Sequence, residues 1–139
     1  MINKMELKFS SLSENEAFSR SVIASFILPL NPTISQMNDI KTAVSEAVTN
    51  AVVHGYPDSV GEIVMSCDIL NDEIHIKIQD FGVGISNLEQ ALEPFYTTKG
   101  DFERSGMGFT IMQSFMDNVE VESSLNFGTT IKMTKKLSR

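Results

Sequence analysis

Cysteine occurs once in the 139 residues, at Cys67. A disulfide framework is therefore excluded, and because Cys67 falls in an apolar run it reads as a core thiol. Positive charge is also scarce: 11 Lys and Arg stand against 18 Asp and Glu, for a net charge of -7. That balance argues against a nucleic-acid surface, since phosphate binding needs clustered cations. The one basic cluster, Lys132, Lys135, Lys136 and Arg139, reads as a solvated terminal tail. No apolar run nears about 18 residues and the N-terminus carries no signal-peptide core, so a cytoplasmic chain without membrane contact is expected. Internal repeats and low-complexity tracts are missing as well. What is present, 42% hydrophobic and 21% charged residues, suits a single domain over 1–139 with one core.

Met5, Leu7 and Phe9 alternate with Glu6, Lys8 and Ser10, the period of a half-buried strand. Ser13 followed by Glu16 has the spacing of a capping box. It opens a predicted helix to about Leu28, with Phe18, Val22, Phe26, Ile23 and Ile27 as the apolar stripe. Arg20 falls off that stripe, facing water or a partner. Pro29 and Pro32 break the chain. Thr33 or Ser35 caps a second helix that runs to His54, and Gly55 is expected to supply its left-handed C′ position. Strands at about Glu62–Leu70 and Glu73–Gln79 form a hairpin through Asn71-Asp72. His75, opposite Ile74 and Ile76, reads as a surface residue. From Phe81 to Phe109 no period is sustained, although Leu88–Leu92 fits one short helix. A segment of about 28 residues of this kind is usually functional, often a lid. A helix from about Gly108 to Met116 and strands at about Val119–Ser124 and Thr129–Lys135 follow. The order predicts an α+β fold, a two-layer α/β sandwich with helices on one face of a mixed, mostly antiparallel sheet.

Three stretches carry chemistry. Glu46, Asn50 and His54 recur every four residues on the second helix, each step drifting by about 40°, so they share one arc. A carboxylate there can take a proton and an amide oxygen can ligate a hard cation, although the same triplet fits an ordinary solvated stripe. Asp80, Gly82 and Gly84 come off a strand end. The glycines let the backbone approach a flat ligand, and the acid can accept from an amino group such as that of adenine; a turn with a helper carboxylate fits too. The letters Asp80-Phe81-Gly82 do not indicate a eukaryotic-type kinase, because its glycine-rich loop and His-Arg-Asp loop are absent. Gly106-Met107-Gly108, after Glu103-Arg104-Ser105, sits at a helix start, where free N–H groups bind anions. Arg104 is placed to reach a terminal phosphate, with Thr97, Thr98 and Lys99 nearby. A flexible glycine-rich loop reads the same way, and the Walker A spacing is absent.

In this order the three stretches resemble the ATP-binding superfamily that unites DNA gyrase B, Hsp90, bacterial histidine kinases and MutL, the Bergerat (GHKL) fold. Glu46 to His54 is similar to its N box, Asp80 to Gly84 to its first glycine box and Arg104 to Gly108 to its second. Gly128-Thr129-Thr130 matches the Gly-Thr of a last strand passing the adenine. The run Ser45 to Tyr56, Tyr96-Thr97-Thr98-Lys99 and Glu103 to Met112 further resemble the anti-sigma F factor family of spore-forming bacteria, across essentially the whole chain. The resemblance implies a protein serine kinase in which Asn50 holds Mg2+ bridging the ATP phosphates and Glu46 is the general base. Asp80 would accept the adenine amino hydrogen, with Gly84 and Thr129 completing the pocket. Gly106, Met107 and Gly108 would cradle phosphates, and Arg104 would contact the γ-phosphate. His54 reads as helix-end packing or a hydrogen bond to the next turn, or as a catalytic group.

The implied partners are a sporulation sigma factor, an anti-anti-sigma antagonist phosphorylated on serine and a second copy in a homodimer, with Arg20 as the candidate contact. ATP or ADP would decide which partner wins through the lid from Leu88 to Ser105. A histidine kinase would need an acceptor histidine on a helical hairpin, and His54 and His75 are not so placed. The alternative is a nucleotide-gated sigma-binding protein of the general-stress type, with another sigma specificity or negligible phosphotransfer.

Overall fold

The structure is a computed structural model, and residues 1–85 and 108–137 are described. The short helix expected at Leu88–Leu92 and the candidate residues Thr97, Thr98, Lys99, Arg104, Ser105, Gly106 and Met107 lie outside the described residues.

Five strands form one sheet: β1 (Ile2–Ser10), β2 (Glu62–Leu70), β3 (Glu73–Asp80), β4 (Asn118–Ser124) and β5 (Gly128–Lys136). Their order is β1-β2-β3-β5-β4. Among the described residues every pairing is antiparallel, so the sheet is not mixed. Helices α1 (Glu14–Ile27), α2 (Ile34–Asn50) and α3 (Gly108–Phe115) make the second layer, with α2 touching both of the others. The α+β two-layer architecture is as the sequence order predicts.

The register arranges the helix-side face in rungs that cross all five strands. Met5, Cys67, Ile76, Met133 and Val119 form one, and Leu7, Met65, Ile78, Ile131 and Val121 the next. Their centres are fully buried and pack against Ile40, Ala43, Val44, Ala47 and Val48 of α2 and Ile23 and Ile27 of α1. Burial pushes the Cys67 thiol up to about 12, as befits an inert core position. The third rung, Phe9, Ile63, Asp80, Thr129 and Ser123, turns polar over its last three strands. His75, with Glu73 at 3.2 Å, lies on the opposite, solvent-facing side.

Several local expectations change. Ser13 makes no side-chain cap; its hydroxyl bonds Glu14 at 3.1 Å while Glu16 pairs with Arg20 at 2.6 Å. The α1 stripe is rotated to Ser19, Ile23 and Ile27, which leaves Phe18 47% exposed. The working capping box is at α2, where Thr33 Oγ1 accepts the Gln36 N–H at 3.0 Å and Gln36 accepts the Thr33 N–H at 2.8 Å. That helix stays α-helical only to Asn50; Ala51–Gly55 form a wider π-helical turn, closed by the Tyr56 N–H on the Ala51 carbonyl. Gly55 is not left-handed, and its lack of a side chain serves a different purpose at the site. Of the basic cluster, Arg139 lies outside the described residues, and Lys132 and Lys135 are not a solvated tail. Lys135 is 13% exposed and donates to the Phe115 carbonyl at 2.6 Å, closing the end of α3, while Lys132 pairs with Glu122 at 2.8 Å.

Thr33→Ala should therefore lower stability by about 1 kcal/mol through loss of the cap. Ser13→Ala should stay within about 0.5 kcal/mol of the parent. Urea denaturation midpoints of the two variants check the contrast.

Candidate functional site

The polar rung forms because β3 ends in Asp80 where β5 brings Thr129 and β4 brings Ser123. Asp80 is 3% exposed, and its carboxylate accepts the backbone N–H of Gly82 at 3.0 Å and that of Thr129. Burial raises its pKa above the ordinary carboxylate value, and the two N–H groups offset only part of that rise. Thr129, directly across the strand pair and 4% exposed, stands beside it.

The end of α2 closes over this carboxylate. A Cβ added to Gly55 would stand 2.8 Å from the Asp80 carboxyl carbon, and one added to Gly82 would stand 1.8 Å from the Gly55 carbonyl oxygen. Backbone meets backbone there, and the Gly55 carbonyl accepts the Val83 N–H at 2.9 Å. The close approach, rather than a left-handed turn, is what requires glycine at both positions. Gly84 does take a positive φ, 74°, against the Ser124 carbonyl. Tyr56 pins the strand end: its hydroxyl accepts the Phe81 N–H at 2.7 Å and donates to the Glu62 carbonyl at 2.6 Å. Ser123 ties the Gly84–Ile85 turn to β5 through Ile85 and Gly128.

Glu46 and Asn50 follow one another on α2, the first 4% exposed and the second half-buried. The start of α3 approaches Glu46: a Cβ on Gly108 would lie 3.7 Å from its Oε2. His54 is half-buried in the π-helical turn, past the pair. Arg20 lies on α1, held by Glu16, and is not brought to this site.

The structure thus gathers Glu46, Asn50, Asp80, Gly82, Gly84, Gly108 and Thr129 around the end of α2. Sequence reasoning missed Tyr56 and Ser123, and gave Gly55 the wrong task. Ser123 had a signal, as the polar break in the alternation Val119, Val121, Ser123. Among the described residues no group of three His, Cys, Asp or Glu gathers to hold a metal. A cation that rests on one amide oxygen, phosphate oxygens and water fits such a site, and Mg2+ is bound in that manner.

The model of the histidine kinase-like ATPase domain matches residues 9–135. An anti-sigma F factor of Clostridium acetobutylicum is 54% identical over 98% of this chain and 95% of its own length. That of Bacillus subtilis is 51% identical over 100% of this chain and 96% of its own. The chain belongs to the anti-sigma F factor family. The RsbU and RsbW domains of a Mycobacterium tuberculosis protein share the fold, with a TM-score of 0.71 at 19% identity, over 99% of this chain and 32% of that one. The ATPase-domain match shows that the fold is one that binds nucleotide.

Asp80 should titrate above the usual value of about 3.9, read by its carboxyl carbon in an NMR pH series. Its folded pKa is the higher one, so the stability owed to its neutral form is complete below the unfolded value. It is lost as pH rises through the folded value, and the buried charge is a fixed cost beyond it.

Proposed function

We propose that the chain is a cytoplasmic, Mg-ATP-dependent protein serine kinase that is also an anti-sigma factor. It would bind a sporulation sigma factor as a homodimer and phosphorylate a serine of an anti-anti-sigma antagonist. The observation that carries the reading is the approach of Gly108, the first residue of α3, to the buried Glu46. Phosphoryl transfer needs positioning and charge neutralisation more than covalent help; Glu46 would serve the first and a cation at Asn50 the second.

Asp80 takes the amino hydrogen of the adenine, with Thr129 and Gly84 forming the pocket wall. The N–H groups at the start of α3 receive phosphate oxygens, which Gly108 leaves uncovered. Asn50 would hold Mg2+, whose charge would offset that of the triphosphate. Glu46 accepts the proton of the substrate serine as its oxygen forms the bond to the γ-phosphorus and the bond to the β-phosphate oxygen breaks, releasing ADP. Arg104 with Thr97, Thr98 and Lys99, and the Ser105-Gly106-Met107 turn, complete the phosphate side by resemblance to the family. His54 is assigned to helix-end structure. The names of the relatives and the match to the ATPase domain support the reading, and the net charge of -7 agrees with protein rather than nucleic-acid partners.

Glu46→Gln should bind ATP and the sigma factor as the parent does and lose about 10²–10⁴ in phosphotransfer rate. Incubation with Mg-ATP and candidate antagonists, with mass spectrometry to locate phosphate, reads this; undiminished transfer would overturn the assigned base. Arg20→Ala should weaken binding of the protein partners by about tenfold or more without altering ATP affinity. Calorimetry with each partner checks it, and normal binding of both would remove Arg20 from the interface.

A further inference from the structure

Ser123 lies on β4 beside Thr129, on the helix side of the sheet, and three short contacts converge on its Oγ. It accepts the Ile85 N–H at 2.8 Å, stands 3.1 Å from the Gly128 carbonyl oxygen and 2.8 Å from Thr129 Oγ1. A hydroxyl has one proton to give. The Gly128 carbonyl can only accept, so Ser123 donates there, and the proton between the two side chains must come from Thr129. In no other assignment does each of the three contacts carry a proton. Thr129 Oγ1 is then left with lone pairs and no hydrogen for any other group. Its neighbour across the strand pair, the Asp80 carboxylate, is an acceptor too.

We infer that Ser123 is a positioning residue that sets base specificity. By taking the Thr129 proton it makes the polar rung present two acceptors side by side, which selects a 6-amino purine nucleotide over a 6-oxo one. The inference rests on the nucleotide reading of this site. Two hydrogens of an exocyclic amino group match two acceptors. An oxo group meets them with lone pairs, and a buried acceptor facing an acceptor is expensive. Released from Ser123, the Thr129 hydroxyl can turn and donate to the oxo group, so discrimination relaxes.

The test is calorimetric binding of ATP and inosine triphosphate to the full chain, with melting curves to verify folding. The parent should prefer ATP. Ser123→Ala should narrow the ratio of the two dissociation constants by about fivefold or more, the low end of one mismatched buried hydrogen bond. Ser123→Thr, which keeps the hydroxyl, should retain the ratio. In a Thr129→Val background Ser123→Ala should leave it unchanged, because the two residues act as a unit. A merely structural Ser123 would weaken both nucleotides equally, and that result, or no change, overturns the inference. If Ser123→Ala does not fold, Ser123→Cys, a weak donor of similar size, is read in the same way. A folded parent that binds neither nucleotide would instead sink the nucleotide reading, and this inference with it.

Discussion

A carboxylate buried at the end of a sheet is the constraint that the rest of the structure accommodates. Removing an unpaired charge from water is costly, and hydrogen bonds to the charged form are the compensation available to the chain. Asp80 receives two of them from backbone, one returning from Gly82 and one crossing from Thr129. Each demands that a neighbouring segment stop at a fixed place. The turn after β3 must double back, β5 must begin level with the end of β3, and α2 must end in a residue without a side chain. Tyr56, bonded to both Phe81 and Glu62, keeps the ends of β2 and β3 from drifting apart.

Helix α2 links this constraint to the chemistry. Its buried side, from Ile40 through Val48, packs on the apolar rungs, while Glu46 meets the first residue of α3 and Asn50 closes the helix. The change from α-helical to π-helical geometry after Asn50 widens the last turn. Wide turns of this kind occur within helices frequently at functional sites. Here the widened turn delivers Gly55 onto the Asp80 carboxyl and the Gly82 backbone, with Glu46 and Asn50 kept on regular α-helix. The carboxylate at the sheet end and the Glu46–Asn50 pair are thereby tied to one continuous element.

Much of this was legible in the sequence where a pattern has a single physical cause. Alternation in β1 and β3, the broad apolar face of α2 and the Asn71-Asp72 turn specified the two layers. The acid, the amide and the glycines named residues that the fold carries to α2, the end of β3 and the first turn of α3. Legibility ended where a residue's task depends on what crosses it. The spacing of Ser13 and Glu16 permits a capping box, but Glu16 pairs with Arg20, whereas Thr33 and Gln36 have the same spacing and make one. Gly55 looked like a helix terminator because glycine usually ends helices through a positive φ; its actual reason is a contact 25 residues away in sequence, at Asp80. Lys135 looked solvated because the sequence places it among other cations, while the fold lays it along the end of α3. Ser123 broke the alternation of β4 in the sequence, but its partner Thr129 emerged only with the register.

The rungs of the sheet divide labour by position. Two of them are apolar across all five strands and hold the layers together; the third, at the rim, gives its last three places to Asp80, Thr129 and Ser123. Cohesion and the polar rim therefore draw on different cross-sections of the same strands. Sequence drift confined to positions 80, 123 and 129 would change the chemistry of the rim while the apolar interior stays intact. Such a scaffold can diverge at one edge without first losing its fold.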